Sequence, residues 1–198
     1  MCRAMARSRV FDEETAVDRA MQLFWRNGYE ATSITDLTTA MGINKGSLYH
    51  SFGSKHDLFM RVLLRYSIEC MRATLQRVGQ NPDPIAAIDD LFAQMIRQSL
   101  ADTDRKGCFL VNTALDLQLH SAEVQDMTRR GLAEYEGFFA EKLTAAKSQG
   151  RLSDTFDVDE AASALMALET GLQVMARGMY SEKKLQAIRH QAQRLVRD

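Results

Sequence analysis

The 198-residue sequence predicts an all-α fold of about nine helices: a small N-terminal three-helix unit, a long connecting helix and a larger helical bundle. Three observations carry this prediction. Apolar residues recur at spacings of three and four along most of the chain, and no stretch alternates in the manner of a half-buried strand. Two prolines against eleven methionines suit helices, because proline breaks them and methionine fills the irregular gaps between them. The stretch Thr32 to Asp57, TSITDLTTAMGINKGSLYHSFGSKHD, reads as three consecutive helix starts with almost no linker between them.

Residues 1 to 10 form a basic arm carrying Arg3, Arg7 and Arg9 and no acid. The first helix is expected over Asp12 to Asn27, with Val17, Ala20, Met21 and Phe24 on one apolar face and Gly28 as its stop. Thr32 or Ser33 caps the second, with Asp36 three residues beyond Ser33 in a pattern close to a capping box. Gly42-Ile43-Asn44 ends that helix and caps the third, Lys45 to Ser51. There Leu48 and Phe52 are the apolar residues, leaving Lys45, Ser47, Tyr49 and His50 free to project. Two short helices across a tight glycine-containing turn make a helix-turn-helix, whose second helix can enter the DNA major groove.

The segment from Val10 to about Tyr66 resembles the DNA-binding domain of the TetR family of bacterial one-component repressors. The residues that carry the resemblance are F24-W25-R26-N27-G28-Y29, then T32-S33-I34, and above all the ungapped run G42-I43-N44-K45-G46-S47-L48-Y49-H50-S51-F52-G53-S54-K55-H56-D57-L58. The remaining two thirds match the family only in length and helical character. Division into an arm and DNA-binding domain, 1–53, and a connecting helix with an effector-binding and dimerisation domain, 54–198, follows.

Ser54 caps the connecting helix, which is expected to run to about Val78 and to act as the lever between the two parts. GQNPDP is the clearest linker, with Asp83 as cap and Pro84 in the first turn of the next helix. Further helices are expected from Ile85 to Leu100, Cys108 to His120, Ala122 to Ser148, Val158 to Met179 and Glu182 to Arg197. The last two are the candidate dimer interface, a four-helix arrangement with two helices from each subunit. Ala161, Ala164, Leu168 and Leu172 lie on the first of them, and Leu185, Ile188, Ala192 and Leu195 on the second.

DNA binding needs several phosphate contacts to set register and a few side chains aimed at base edges. Ser33, Thr35 and Lys55 are placed for phosphate, as is the amide of Gly46 at a helix start. Lys45 and Ser47 are the base readers. The resemblance also places Tyr49 and His50 on the DNA backbone. So short a recognition helix reads few base pairs, so a palindromic operator bound by a homodimer is expected. The resemblance further implies a small apolar or amphipathic effector between the bundle helices. Its candidate contacts are Phe92, Met95, Cys108, Phe109, Phe138, Phe139 and Met166, with Asn112, Glu169 and Gln173 as polar residues that could orient it.

Cys108 follows Arg105, Lys106 and Gly107 at a helix start, where cations and free amides favour thiolate. A repressor that senses oxidants or electrophiles through this thiol is therefore an alternative reading. A helical small-molecule-binding protein without DNA binding is another. Catalysis finds no support. There is no Glu-x-x-His, the glycines and lysine of GINKGS are in the wrong order for a phosphate loop, and no serine or cysteine has a base partner. His50 and His56 are six apart, a poor spacing for a shared metal on a helix. No enzyme activity, metal or cofactor is expected.

Hydrophobic residues at 45% and charged residues at 26% are ordinary for a globular chain with a substantial core. The net charge of −1 opposes binding of nucleic acid over the whole surface, so the placement of the bases matters more than their sum. No apolar run approaches the roughly 18 residues of a membrane span, and the N-terminus lacks a signal-peptide core. With only Cys2, Cys70 and Cys108 there is no disulfide framework, and a reducing cytoplasm is the expected location without membrane contact.

Overall fold

The computed structural model describes residues 12–197, and every described element is helical or a turn. The basic arm of residues 1–10 lies outside the described residues. The chain divides between Val62 and Leu63 into two compact units.

The first unit holds α1 (Glu13–Asn27), α2 (Ile34–Met41), α3 (Lys45–Phe52) and most of α4 (Lys55–Tyr66). Each start is closed by its own side chain. Asp12 accepts from Glu14 N, Ser33 from Asp36 N, Asn44 from Ser47 N, and Ser54 Oγ from Asp57 N at 3.0 Å. The capping box at Ser33 is complete, since Asp36 Oδ2 accepts in return from Ser33 N at 2.9 Å. Thr32, the other candidate cap, is buried and donates to Gly28 O instead. Gly42 ends α2 in the left-handed region at φ 70, which glycine adopts without steric penalty. Phe24, Leu37, Leu48, Leu58, Phe59 and Val62 are fully buried, and the Phe24 and Phe59 rings meet edge to face at 5.1 Å.

The second unit begins in the last turn of α4. That helix does not continue as one regular rod to Val78. A π-helical stretch, Ser67–Arg72, interrupts it before α5 (Ala73–Gly79). Ser67 Oγ donates to Leu63 O at 2.9 Å beside this interruption. There follow α6 (Pro84–Ala101), α7 (Phe109–Leu115), a 3-10 turn (Leu117–Leu119), α8 (Ala122–Ser148), α9 (Val158–Met175) and α10 (Glu182–Leu195). Taking α4, the π stretch and α5 as one continuous helix, the described residues form nine helices. Asp83 caps α6 with Pro84 in its first turn. The expected helix over Cys108 to His120 is shorter: Cys108 is its N-cap position, and the chain tightens into the 3-10 turn after Asp116.

In the bundle α8 packs against α9, α6 and α7, while α10 packs against α6 and α9. The 27-residue α8 buries Val124, Thr128, Gly131, Tyr135, Phe138, Phe139, Leu143 and Ala146. Arg189 of α10 clamps Asp89 of α6 through two hydrogen bonds of 2.6 Å, and Gln193 adds a third at 2.9 Å.

Candidate nucleic-acid interface and effector site

On α3 the apolar residues Leu48 and Phe52 are buried, and Lys45, Gly46, Tyr49 and His50 are exposed, with Ser47 half-buried. Tyr49 leaves 43% of its surface to solvent, unusual for an aromatic in a well-packed unit. Lys45 Nζ sits 5.9 Å from the centre of its ring, so the two share one face of the helix. No acidic residue occurs on α3. The face is thus polar, cationic and open.

Gly46 has a local reason beyond close approach to an anion. A Cβ there would come within 3.2 Å of Asn44 Oδ1, which is occupied in capping Ser47 N at 2.8 Å. On α2, Ser33 and Thr35 are both exposed. The Ser33 hydroxyl is committed to its box, lying 2.6 Å from Asp36 Oδ2. Lys55 at the start of α4 is half-buried, with its ammonium 4.3 Å over the Tyr29 ring. Its charge therefore has a fixed position instead of a free sweep.

The residues assigned to an effector do not all converge on one site. Phe92 stacks on Phe139 at 6.0 Å and Phe138 meets Phe139 edge to face at 5.9 Å, as core packing of α6 and α8. Met95 belongs to the same buried core, and Met166 is half-buried. Asn112 is used at both ends: Nδ2 donates to Lys106 O at 2.7 Å, and Oδ1 accepts from Arg177 at 3.1 Å. These bonds tie it to the loop before α7 and to Arg177. Phe138 also lines an open groove of about 710 Å³ between α5 and α8, together with Arg72, Glu134 and Lys142.

A second group does converge. Tyr66, Cys108, Tyr135 and Glu169 are all buried and act on one another. The Tyr66 hydroxyl donates to Cys108 Sγ at 3.4 Å, and the Phe109 ring meets Tyr66 edge-on at 5.7 Å. Glu169 has no exposed surface, and its Oε1 accepts no hydrogen bond from any described residue. Burial pushes its carboxyl up to about 7, against the opposing hydrogen bonds of Gln173 and Thr170. From the sequence Tyr66 and Tyr135 count only as core, because each ring sits within an apolar stripe and its hydroxyl leaves no periodic mark.

Cys108 corrects an expectation. Its thiol is not depressed. Burial and the neighbouring Glu169 carboxylate push it up to about 11. Lys106, one of the cations expected to act on it, is instead bound to Asp102 at 2.8 Å and Asp104 at 3.6 Å. At neutral pH the thiol stays protonated, which removes the physical basis for ready thiolate chemistry.

The residues named for a dimer interface divide. Ala161, Leu172, Leu185 and Ala192 are buried within this chain, so they pack the bundle and cannot face a partner as well. Ala164, Leu168, Ile188 and Leu195 remain half-buried. The three-four spacing on α10 thus marks its seam against α6 and α9.

Comparison with known proteins agrees with this geometry. The family described as "Bacterial regulatory proteins, tetR family" matches residues 16–62, and "Tetracyclin repressor-like, C-terminal domain" matches residues 84–192. The chain belongs to the TetR family. One TetR-family relative is the transcriptional repressor ComR of Escherichia coli (strain K12), 30% identical over 187 residues, covering 94% of this chain and 89% of ComR. Another is the regulator YezE of Bacillus subtilis (strain 168), 33% identical over 75% of this chain and 77% of YezE. Among solved structures, a cysteine mutant of the TetR regulator CifR in complex with 26-bp double-strand operator DNA has a TM-score of 0.84 at 31% identity. It covers 95% of this chain and 98% of that one. The protein is accordingly an all-helical, DNA-binding transcriptional regulator and not an enzyme. Among the described residues no helix is long and apolar enough to cross a membrane.

Proposed function

We propose that this regulator is a homodimeric, cytoplasmic repressor whose two α3 helices read the half-sites of a palindromic operator, and that a small apolar or amphipathic effector in the bundle releases it. The observation that carries the reading is the open face of α3, where Lys45 and Tyr49 project together from a helix whose other side is sealed by Leu48 and Phe52. Lys45 and Ser47 are the base readers, and Tyr49, His50, Ser33, Thr35, Lys55 and the Gly46 amide hold phosphate. The CifR complex supports the DNA half of this reading, and the repressor ComR supports its sign.

The remaining half-buried positions on the outer sides of α9 and α10, among them Ala164, Leu168, Ile188 and Leu195, are the surface offered to a second copy. An effector can change occupancy only if it binds the DNA-competent and released states with different affinity. A gel-shift titration with the region upstream of the gene tests the proposal. Replacing Lys45 by Ala together with Tyr49 by Phe is expected to weaken specific binding by about tenfold to a hundredfold, from the loss of one base contact and one phosphate contact. Unchanged affinity of that variant removes α3 as the reader.

A further inference from the structure

We propose that Glu169 is the recognition point for a small amphipathic organic amine, bound as its cation inside the bundle beside Cys108 and Tyr135. The proposal deepens, and rests on, the reading of the bundle as the effector-sensing part of the repressor. Glu169 lies in the middle of α9, a helix packed against α6, α7, α8 and α10, and exposes none of its surface. Of its two oxygens, Oε2 is approached by the Thr170 hydroxyl at 3.4 Å, and Oε1 accepts nothing from the described residues. A buried acceptor without a donor is rare in folded proteins and points to a group that arrives later.

The groups around it specify what that arrival must bring. Gln173, Thr170, Cys108 and Tyr135 are uncharged. Three bases of the second unit are engaged elsewhere: Lys106 by Asp102 and Asp104, Arg177 by Asn112, and Arg189 by Asp89. Oε1 therefore lacks a hydrogen-bond donor, and no cation acts on the carboxylate as a whole. An ammonium supplies both at once, an alcohol supplies only the donor, and a carboxylic acid supplies repulsion. The aromatic rings of Tyr66, Phe109 and Tyr135 in the same cluster suit the apolar part of such a molecule.

The position also offers a route for the signal. Glu169 acts on Cys108, and Cys108 is hydrogen-bonded by Tyr66, the last residue of α4 before the π-helical stretch. Isolated π turns inside longer helices are frequent at functional sites. A cation drawn to Glu169 changes the field and packing at Cys108, and through it the turn in which the connecting helix departs from regular geometry.

The test compares phenethylamine, phenethyl alcohol and phenylacetate, three probes of one size, by calorimetric titration and thermal shift on the full chain at about pH 8. The amine is expected to bind at least about tenfold tighter than the alcohol, and phenylacetate not at all. Glu169→Gln keeps the shape, removes the charge and is expected to erase the amine's advantage. An amine no tighter than the alcohol, or an advantage that survives Glu169→Gln, overturns the proposal.

A second measurement stands if that variant fails to fold. Of the groups that interact with Glu169, Cys108 is pushed to about 11 and Tyr135 upward, while Gln173 and Thr170 do not titrate. Between about pH 8 and pH 6 the titrating group is Glu169 itself, so the wild-type preference for the amine should fall about tenfold over that range. A preference independent of pH overturns the proposal equally. Operator binding measured on the same preparation separates the two readings. Intact binding with no amine preference removes this inference alone, whereas absent operator binding removes the repressor reading.

Discussion

Glu169 shows how one side chain can oppose the fold that contains it. Its folded carboxyl is raised from an ordinary value of 4.5 to about 7 by burial. The native state therefore holds a proton that the unfolded chain has released between those two values. Native stability must fall as pH rises through that window and level off above it. The size of the effect is about 3 kcal/mol, as an order of magnitude. Glu169→Gln is expected to raise the midpoint of urea unfolding most clearly above pH 7 and to leave it nearly unchanged near pH 4.5. Equal effects at both pH values would show that the carboxylate is stabilised by something other than its proton. Of this residue the sequence displayed only a polar side chain in an apolar helix, shared with Gln173 and, on α7, with Asn112. Burial and hydrogen bonding separate Asn112 from Glu169, because Asn112 has both amide ends paired and Glu169 has an oxygen that accepts nothing from the described residues.

At the scale of elements, the short helices of the first unit depend on their caps, since eight residues supply few internal hydrogen bonds. Asn44→Ala removes the acceptor for Ser47 N and is expected to cost about 1 kcal/mol of stability. It should also weaken operator binding, because it frays the start of α3 where Lys45 stands. Thermal unfolding alongside anisotropy with labelled operator checks both outcomes. In the second unit the Asp89 to Arg189 clamp ties α6 to α10. Burial opposes ionisation of Asp89, yet the hydrogen bonds from Arg189 and Gln193 outweigh it and hold the carboxyl below its ordinary value. Its stabilisation is present at neutral pH and lost as pH falls through the carboxylate range. Asp89→Asn is expected to destabilise the bundle by about 1–2 kcal/mol at pH 7, allowing for the pair's partial exposure. The difference from wild type should vanish in acid.

For the whole molecule, reading two half-sites requires two copies at a fixed spacing, about one DNA turn or a multiple apart. Light scattering at micromolar concentration is therefore expected to give twice the 22.3 kDa chain mass. A monomer at that concentration would remove the palindrome from the proposal. Affinity for the operator should also fall steeply with salt, as neutralised phosphates recover their counterions. The surface that joins the two copies was the least legible part of the chain. The spacing of Leu185, Ile188, Ala192 and Leu195 describes a helix seam equally well whether the partner helix is in the same chain or another. Only the burial of Leu185 and Ala192 against their own bundle decides that this seam is internal.

By itself the sequence determined the features that depend on neighbours along the chain. These are the caps at Asn44, Ser54 and Asp83, the stop at Gly42, and the ungapped motif from Gly42 to Leu58 that marks the DNA-reading unit. Local hydrogen bonds and backbone preferences act over three or four residues, so they are written in order. Tertiary structure alone decided the features that depend on distance in space. It brought Tyr66, Cys108, Tyr135 and Glu169 together from four separate segments, raised the Cys108 thiol where the sequence pointed downward, and used both ends of Asn112. Desolvation and pairing depend on what surrounds a group from every side, and a list of residues does not contain that until the helices have packed.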